Sequence, residues 1–556
     1  MIDKDFDKTN SYSKKDFSEN STIREETKDL KSEKKLYKKR KLKENVKKSK
    51  KYRIQKTFFS RLKQAVPFSR VMGKIIILYF IAVVFAGFLL MIPGIVDTTR
   101  GNKKLSWNLM SGIFNAASAL SDTGITTSLI PASYTFWGHL IILILIQLGG
   151  IGVLTFKITF MILLNKKVSI NDQIVAQTER GGIALANTTE MIKDAFIFLV
   201  FVELIGALLL FFGFYFIPVE NSNDWNPNHN FIRSFWYGIF HSISATNNAG
   251  IDIFSNSSLK IYNENNYGYF IQVIFLFQWV IGGLGYPTYH DIKKKWRARA
   301  TGSAAHFSLF TKLNFIVYTT LFILGPILVF GCELTLSHES KILYNPDGTN
   351  KVWYKSFMDI VINSSAARNS GFSTIDVNDF SSGSKLVLIN LMFIGAAPSS
   401  TAGGIRTTTL AVLLLSIWSA VRNKQTVDAF GKKIPNETVK KANAVFFMSI
   451  FLVMVVLFII YIDSYDVLKN QHKNVLNGSD SGIFVNLLLI VGSAFGTVGF
   501  SPYDNETITS LGTLSKITLI LTMFIGQLGI SNTLLAFVKP SNKQNHRNLE
   551  EDLMIG

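Results

Sequence analysis

One cysteine, Cys332, stands in 556 residues, so the chain has no intrachain disulfide and no thiolate cluster for a metal. Histidine is almost as scarce, at eight, and His139, His241, His290 and His306 are scattered over different apolar segments without the close spacing of a ligand set. His241 reads as a structural residue. There is no nucleophile motif, no triad pattern and no phosphate-cradling glycine loop, because the glycines have no βαβ context. An enzyme is therefore not expected, nor an organic cofactor, a resident metal or a nucleic-acid partner. A nucleotide-binding domain is missing too, so energy must come from an ion gradient and control from another subunit.

Acid is also in short supply: 38 Asp and Glu stand against 58 Lys and Arg, a formal net charge of +20. The excess is uneven. Residues 31–56 hold fourteen Lys or Arg and two Glu, with no sustained apolar period, which reads as a solvated tail. No short apolar stretch with a cleavage site precedes residue 75, so it is not read as a signal peptide. Such a tail suits anionic membrane lipid or an acidic partner; a topology signal is the simpler account.

What the chain has in quantity is long apolar runs. They occupy 75–96, 136–164, 195–217, 269–286, 313–329, 386–420, 444–462 and 517–538, and each approaches or exceeds the roughly twenty residues a helix needs to cross hydrocarbon. Eight spans of an all-α integral membrane protein are expected. Positive clusters follow the even-numbered runs, at 165–167, 293–299, 422–441 and 539–543, which places both termini in the cytoplasm of a multi-pass plasma-membrane protein.

The opposite connections share a pattern. "SALSDTGITTS" (118–128), "ATNNAGIDIFS" (245–255), "AARNSGFSTID" (366–376) and "SAFGTVGFSP" (493–502) each put small polar residues before a glycine and an apolar residue after it. Gly124, Gly250, Gly371 and Gly499 are separated by 126, 121 and 128 residues, so four copies of one unit are the economical account. Ahead of each glycine lie about fifteen amphipathic residues, at 106–120, 231–245, 353–367 and 481–495. These are too short to span and suit re-entrant half-helices. Four unwound loops around one axis can present backbone carbonyls to a dehydrated cation, and glycine lets the chain take the required positive φ.

On these residues the chain resembles the Trk/Ktr/HKT superfamily of potassium transporters, most of all its KtrB/TrkH-type ion-translocating membrane subunits, over residues 71–540. The resemblance implies that each repeat supplies one glycine to a potassium filter. Asp122, Thr123 and Gly124, then Asn248, Ala249 and Gly250, Asn369, Ser370 and Gly371, and Thr497, Val498 and Gly499 would bind K⁺ through backbone carbonyls. "QLGGIG" (147–152), "GGLGYP" (282–287) and "FIGQLG" (524–529) resemble the family's glycine-rich second helices.

"FIGAAPSSTAGGIRTTTL" (393–410) interrupts the sixth run with Pro, Ser, Thr and Gly. Its exposed backbone must lie in protein or water, and the alternative is a Pro-kinked helix. The resemblance implies an intramembrane gate built from Gly395, Ala396, Ala397, Pro398, Ser399, Ser400, Thr401, Ala402, Gly403, Gly404 and Arg406, with Gln527 standing where the family commonly has an arginine. Asp122 departs from an apolar setting and must either face the wet mouth or be hydrogen-bonded behind the filter.

The expected units are a basic tail (1–72), four pore repeats (73–168, 190–292, 305–422 with the gate loop, and 440–540) and a C-terminal segment (541–556). The expected function is potassium uptake, with sodium as an activating or coupling ion. The alternatives are a sodium or weakly selective cation transporter of the same architecture and a non-conducting receptor or scaffold. The resemblance further implies a homodimer on a cytoplasmic ring of nucleotide-binding, KtrA/TrkA-like regulatory subunits, touched by the basic segments 293–299 and 432–441.

Overall fold

The computed structural model describes residues 71–98, 107–164, 188–219, 226–254, 258–263, 267–336, 340–344, 349–475 and 480–533, with positions 168 and 173 standing alone. The basic tail up to residue 70, the positive runs at 165–167 and 539–543, and the segment 541–556 lie outside the described residues.

Apolar runs become helices because a backbone deprived of water must satisfy its own hydrogen bonds. The first repeat runs through α1 (Val71–Leu89), the short α2 (Leu109–Leu120), α3 (Phe136–Ile151) and α4 (Val153–Leu163). The second holds α5 (Thr188–Phe216), the short α6 (Phe231–Thr246), α7 (Gly268–Gly282) and α8 (Tyr286–Ala300). In the third stand α9 (Leu309–Thr335), the short α10 (Trp353–Ala366), α11 (Ser382–Phe393) and α12 (Thr407–Val421). The fourth has α13 (Asn436–Val475), the short α14 (Asp480–Gly496) and α15 (Thr513–Leu528).

The exposure pattern is inverted relative to a soluble fold. On α5, Leu204 is 66% exposed while its neighbour Glu203 is 7% exposed. Phe201 and Leu208 on α5, Ile327 on α9 and Phe451 on α13 also face outward, an arrangement that hydrocarbon tolerates and water does not. Helices α5, α9 and α13 are each long and apolar enough to cross a membrane, and the bent pair α7 and α8 makes a fourth such unit. The remaining apolar helices are shorter.

In the second runs that shortness has one cause. The second apolar run of every repeat is broken: at Gly152 (φ 88°) between α3 and α4, at Gly285 (φ 81°) before α8, at Gly529 (φ 84°) after α15, and in the third repeat by the whole segment between α11 and α12. A left-handed residue ends a right-handed helix, and glycine takes that conformation without a Cβ clash. Helix α8 leaves α7 at 94°, and its His290 and Lys293 both meet Asp194 on α5.

The four short helices are the centre of the molecule. Ala116, Ala117, Ala119 and Leu120 of α2 are fully buried, and α2 lies so close to α1 that a Cβ on Gly112 would sit 2.5 Å from the Gly87 carbonyl oxygen. Small residues at such crossings permit close backbone packing, which drives helix association where no hydrophobic effect operates.

Candidate functional site

Each short helix is built to stop at a chosen point. Asn108 and Asn230 cap α2 and α6 by accepting the backbone N–H of Ser111 and Arg233, both at 3.1 Å. At the other end, Thr123 N–H donates to the Ser118 carbonyl (2.9 Å) and Asp122 N–H to Ala119 (3.4 Å). The same pair of bonds recurs as Ala249 to Ser244 with Asn248 to Ala245, and as Val498 to Ser493 with Thr497 to Ala494. These are Schellman endings, which call for a left-handed residue at the turn. Asp122, Asn248 and Thr497 occupy it at φ 50°, 59° and 50°. The third repeat ends differently, with Ser370 and Gly371 N–H both reaching the Ala366 carbonyl and Asn369 outside the left-handed region.

Beyond these turns the four glycines close a ring. Their φ values are 86° (Gly124), 64° (Gly250), 70° (Gly371) and 105° (Gly499). A Cβ on Gly124 would lie 2.8 Å from the Ala249 oxygen, on Gly250 2.6 Å from Ser370, on Gly371 1.8 Å from Val498, and on Gly499 2.5 Å from Thr123. Each repeat therefore touches the next, and the fourth returns to the first. Only glycine fits this approach, and the four glycines meet here with Thr123, Ala249, Ser370 and Val498, the residues that precede them. Asp122, Thr123, Asn248, Ala249, Asn369, Ser370, Thr497 and Val498 are essentially inaccessible.

Behind the ring, buried side chains hold the outgoing strands. The N–H three residues after the glycine donates to Asn115 Oδ1 in the first repeat (Thr127, 2.9 Å), to His241 Nε2 in the second (Ile253, 3.2 Å) and to Asn363 Oδ1 in the third (Thr374, 3.3 Å). His241 Nδ1 donates to the Tyr237 carbonyl at 2.8 Å, which sets the tautomer and confirms a structural role. Asn115 and Asn363 escaped the reading of the sequence. A polar residue eight or nine positions before each of three ring glycines was the available signal. Glu203 forms a further brace, accepting from Gln147 Nε2 (3.2 Å) and from Nδ2 of Asn247 (3.1 Å), the residue that ends α6. A buried intramembrane carboxyl needs such partners.

The segment from Gly395 to Arg406 runs under the ring. Thr401 accepts a hydrogen bond from Asn248 Nδ2, and Gly403 N–H donates to Thr497 Oγ1 at 2.8 Å. Arg368, buried in the third loop, donates to the Gly395 carbonyl at 3.3 Å while its guanidinium lies 4.1 Å from the Tyr318 ring centre. Gln527 Nε2 donates both to Asp122 Oδ2 (3.0 Å) and to the Thr401 carbonyl (3.1 Å). Asp122 thus lies behind the ring, not in the wet mouth. Arg406 ties the end of the segment down by donating to the carbonyls of Ala402 and Gln527. Ala397 N–H bonds to the Gly283 carbonyl (3.1 Å), Ser399 accepts from Tyr286 N–H (3.2 Å), and Thr407 N–H returns to Ala396 (3.1 Å). Ser399 and Gly404 have positive φ. The interruption is a folded loop, not a proline kink.

On the other side of the ring a cavity of about 510 Å³ is lined by all four glycines and by Asp252, Asp376, Asp504 and Glu506, with Lys260 as the basic residue in its wall. Four acids around one base give the mouth a potential that favours cations.

A family model described as "TrkH: Cation transport protein" matches residues 95–547. An uncharacterized cation transporter of Mycoplasma genitalium is 33% identical over 503 residues, covering 80% of this chain and 87% of that protein. The Ktr system potassium uptake protein D of Bacillus subtilis is 28% identical over 478 residues, 86% of this chain and 95% of its own. The potassium/sodium uptake protein NtpJ of Enterococcus hirae is 28% identical over 480 residues with the same coverages. The crystal structure of the potassium transporter TrkH from Vibrio parahaemolyticus superposes with a TM-score of 0.58 at 16% identity, covering 84% of each chain, and shows the shared fold. This multi-pass, all-α membrane protein belongs to the TrkH family of cation transport proteins and is not an enzyme.

Proposed function

We propose that the protein takes up potassium across the plasma membrane through the ring of Gly124, Gly250, Gly371 and Gly499. The observation that carries this reading is the closed ring itself, in which the carbonyls of Ala249, Ser370, Val498 and Thr123 stand against Gly124, Gly250, Gly371 and Gly499, each the glycine of the preceding repeat around the ring. A potassium ion gives up its hydration shell only where oxygens replace it, and stacked carbonyls from four loops supply them without a formal charge that would hold the ion too tightly. The carboxyl ends of α2, α6 and α14 aim at the same place and add roughly half a negative charge apiece. The loop from Gly395 to Arg406, with Gln527, acts as the gate beneath. Cytoplasmic termini, a homodimer and a nucleotide-binding ring docked on the basic face complete the proposal, supported by the positive runs at 293–299 and 432–441.

Sodium is a second reading, favoured by the likeness to the potassium/sodium uptake protein of Enterococcus hirae. The test has two arms. Expression in cells lacking potassium uptake systems is expected to restore growth at limiting potassium, and proteoliposomes are expected to pass K⁺ and Rb⁺ ahead of Na⁺ and Li⁺ at fixed voltage. Equal or greater Na⁺ flux would favour the sodium reading. No flux and no rescue would leave a scaffold.

A further inference from the structure

We infer that the gate loop is also the floor of the filter, and that Thr401 is a specificity-determining residue acting through Asn248. The inference rests on the reading of the ring as a filter. It starts from a coincidence of strain and tethering. Among the twelve triplet residues, the non-glycine positions with positive φ are Asp122, Asn248 and Thr497. Each of these three has its side chain bonded to the loop or to the loop's own tether. Asn248 donates to Thr401, Thr497 accepts from Gly403 N–H, and Asp122 accepts from the same Gln527 nitrogen that holds the Thr401 carbonyl. The third repeat lacks a left-handed residue before its glycine, and the loop reaches it through Arg368 instead.

Backbone strain persists only where the surroundings over-determine it. Here part of the surroundings is the element that must move for an ion to pass. Thr401 is the hub: its hydroxyl accepts from Asn248 and lies 3.3 Å from the Gly282 carbonyl, and its own carbonyl accepts from Gln527. Moving the loop aside removes the loop partners of Asn248 and Thr497 at once and releases Gln527, which holds Asp122, from the Thr401 carbonyl; the carbonyls of Thr123, Ala249 and Val498 follow those three turns directly. Opening therefore loosens the ring, so flux and ion preference are coupled and not independently set.

The test uses the full-length protein in liposomes, with K⁺ and Na⁺ fluxes measured separately. Thr401→Val keeps the shape and removes the hydroxyl; Thr401→Ser keeps the hydroxyl. The expected result is a K⁺/Na⁺ flux ratio lower by roughly three- to tenfold in Thr401→Val, the effect of about one lost buried hydrogen bond, with the ratio preserved in Thr401→Ser. Thr497→Val removes the acceptor from the filter side and reads the same ratio should Thr401→Val fail to fold. A folded valine variant whose total flux changes at an unaltered ratio overturns the coupling while leaving the pore intact. Absence of cation flux in the unaltered protein strikes instead at the pore reading on which the coupling rests.

Discussion

Gly371 is the tightest point of the ring, because a Cβ there would lie 1.8 Å from the Val498 oxygen, whereas one on Gly124 would lie 2.8 Å from that of Ala249. Both positions also carry the left-handed penalty of about 1–2 kcal/mol for a residue with a Cβ. Gly371→Ala is expected to lower the K⁺/Na⁺ flux ratio more than Gly124→Ala; the reverse order would mean that backbone strain, not contact across the ring, governs the effect. The braces make a different prediction. Asn115→Ala leaves the buried Thr127 N–H without its acceptor, a loss of about 1–3 kcal/mol, so the variant should melt measurably earlier in detergent. An unchanged melting temperature would place that strand's stability elsewhere.

At the scale of elements, the four-fold pattern was legible in the sequence because glycines at nearly constant spacing and short amphipathic stretches survive any detail of packing. The breaks at Gly152, Gly285 and Gly529 in the second helices of the other three repeats were not. Residues 136–164 read as one apolar run, and the left-handed turn at Gly152 changes nothing in hydropathy. Tethers between distant residues, such as Asn248 to Thr401 and Gln527 to Asp122, were equally hidden, since no local period records them. The loop after Phe393 could be located from its composition, but its bonds to Asn248, Arg368 and Thr497 could not. Two of the breaking glycines offer a matched test. A Cβ on Gly285 would meet the Pro398 oxygen at 2.6 Å and Ala397 Cβ at 3.0 Å, while one on Gly529 would meet nothing within 4 Å. Both alanine variants bear similar strain of about 1–2 kcal/mol, but only Gly285→Ala presses on the segment from Gly395 to Arg406. Flux through proteoliposomes should change in Gly285→Ala and stay near normal in Gly529→Ala; equal effects would detach the loop's position from the α7–α8 turn.

For the whole molecule, the polarity of the two sides of the ring matters more than any single contact. The mouth carries Asp252, Asp376, Asp504 and Glu506 against Lys260, and charges within about 10 Å of the axis raise the local cation concentration at ordinary ionic strength. Asp252 carries a displaced carboxyl. It lies outside the helices, two residues beyond Gly250, and burial pushes its carboxyl up to about 7, with the Phe254 N–H bond at 3.1 Å opposing the shift. The group is charged above that value and neutral below it, so acidification through 7 removes one negative charge from the mouth. The half-saturating K⁺ concentration is therefore expected to rise as external pH falls from about 8 to about 6, with the maximal rate little altered because the ring itself is unchanged. Asp252→Asn should show the weaker apparent affinity already at the upper pH and lose the dependence, whereas Asp504→Asn should keep it. If uptake by the Asp252→Asn variant still follows pH through this window, another group is responsible and the mouth's field does not depend on Asp252.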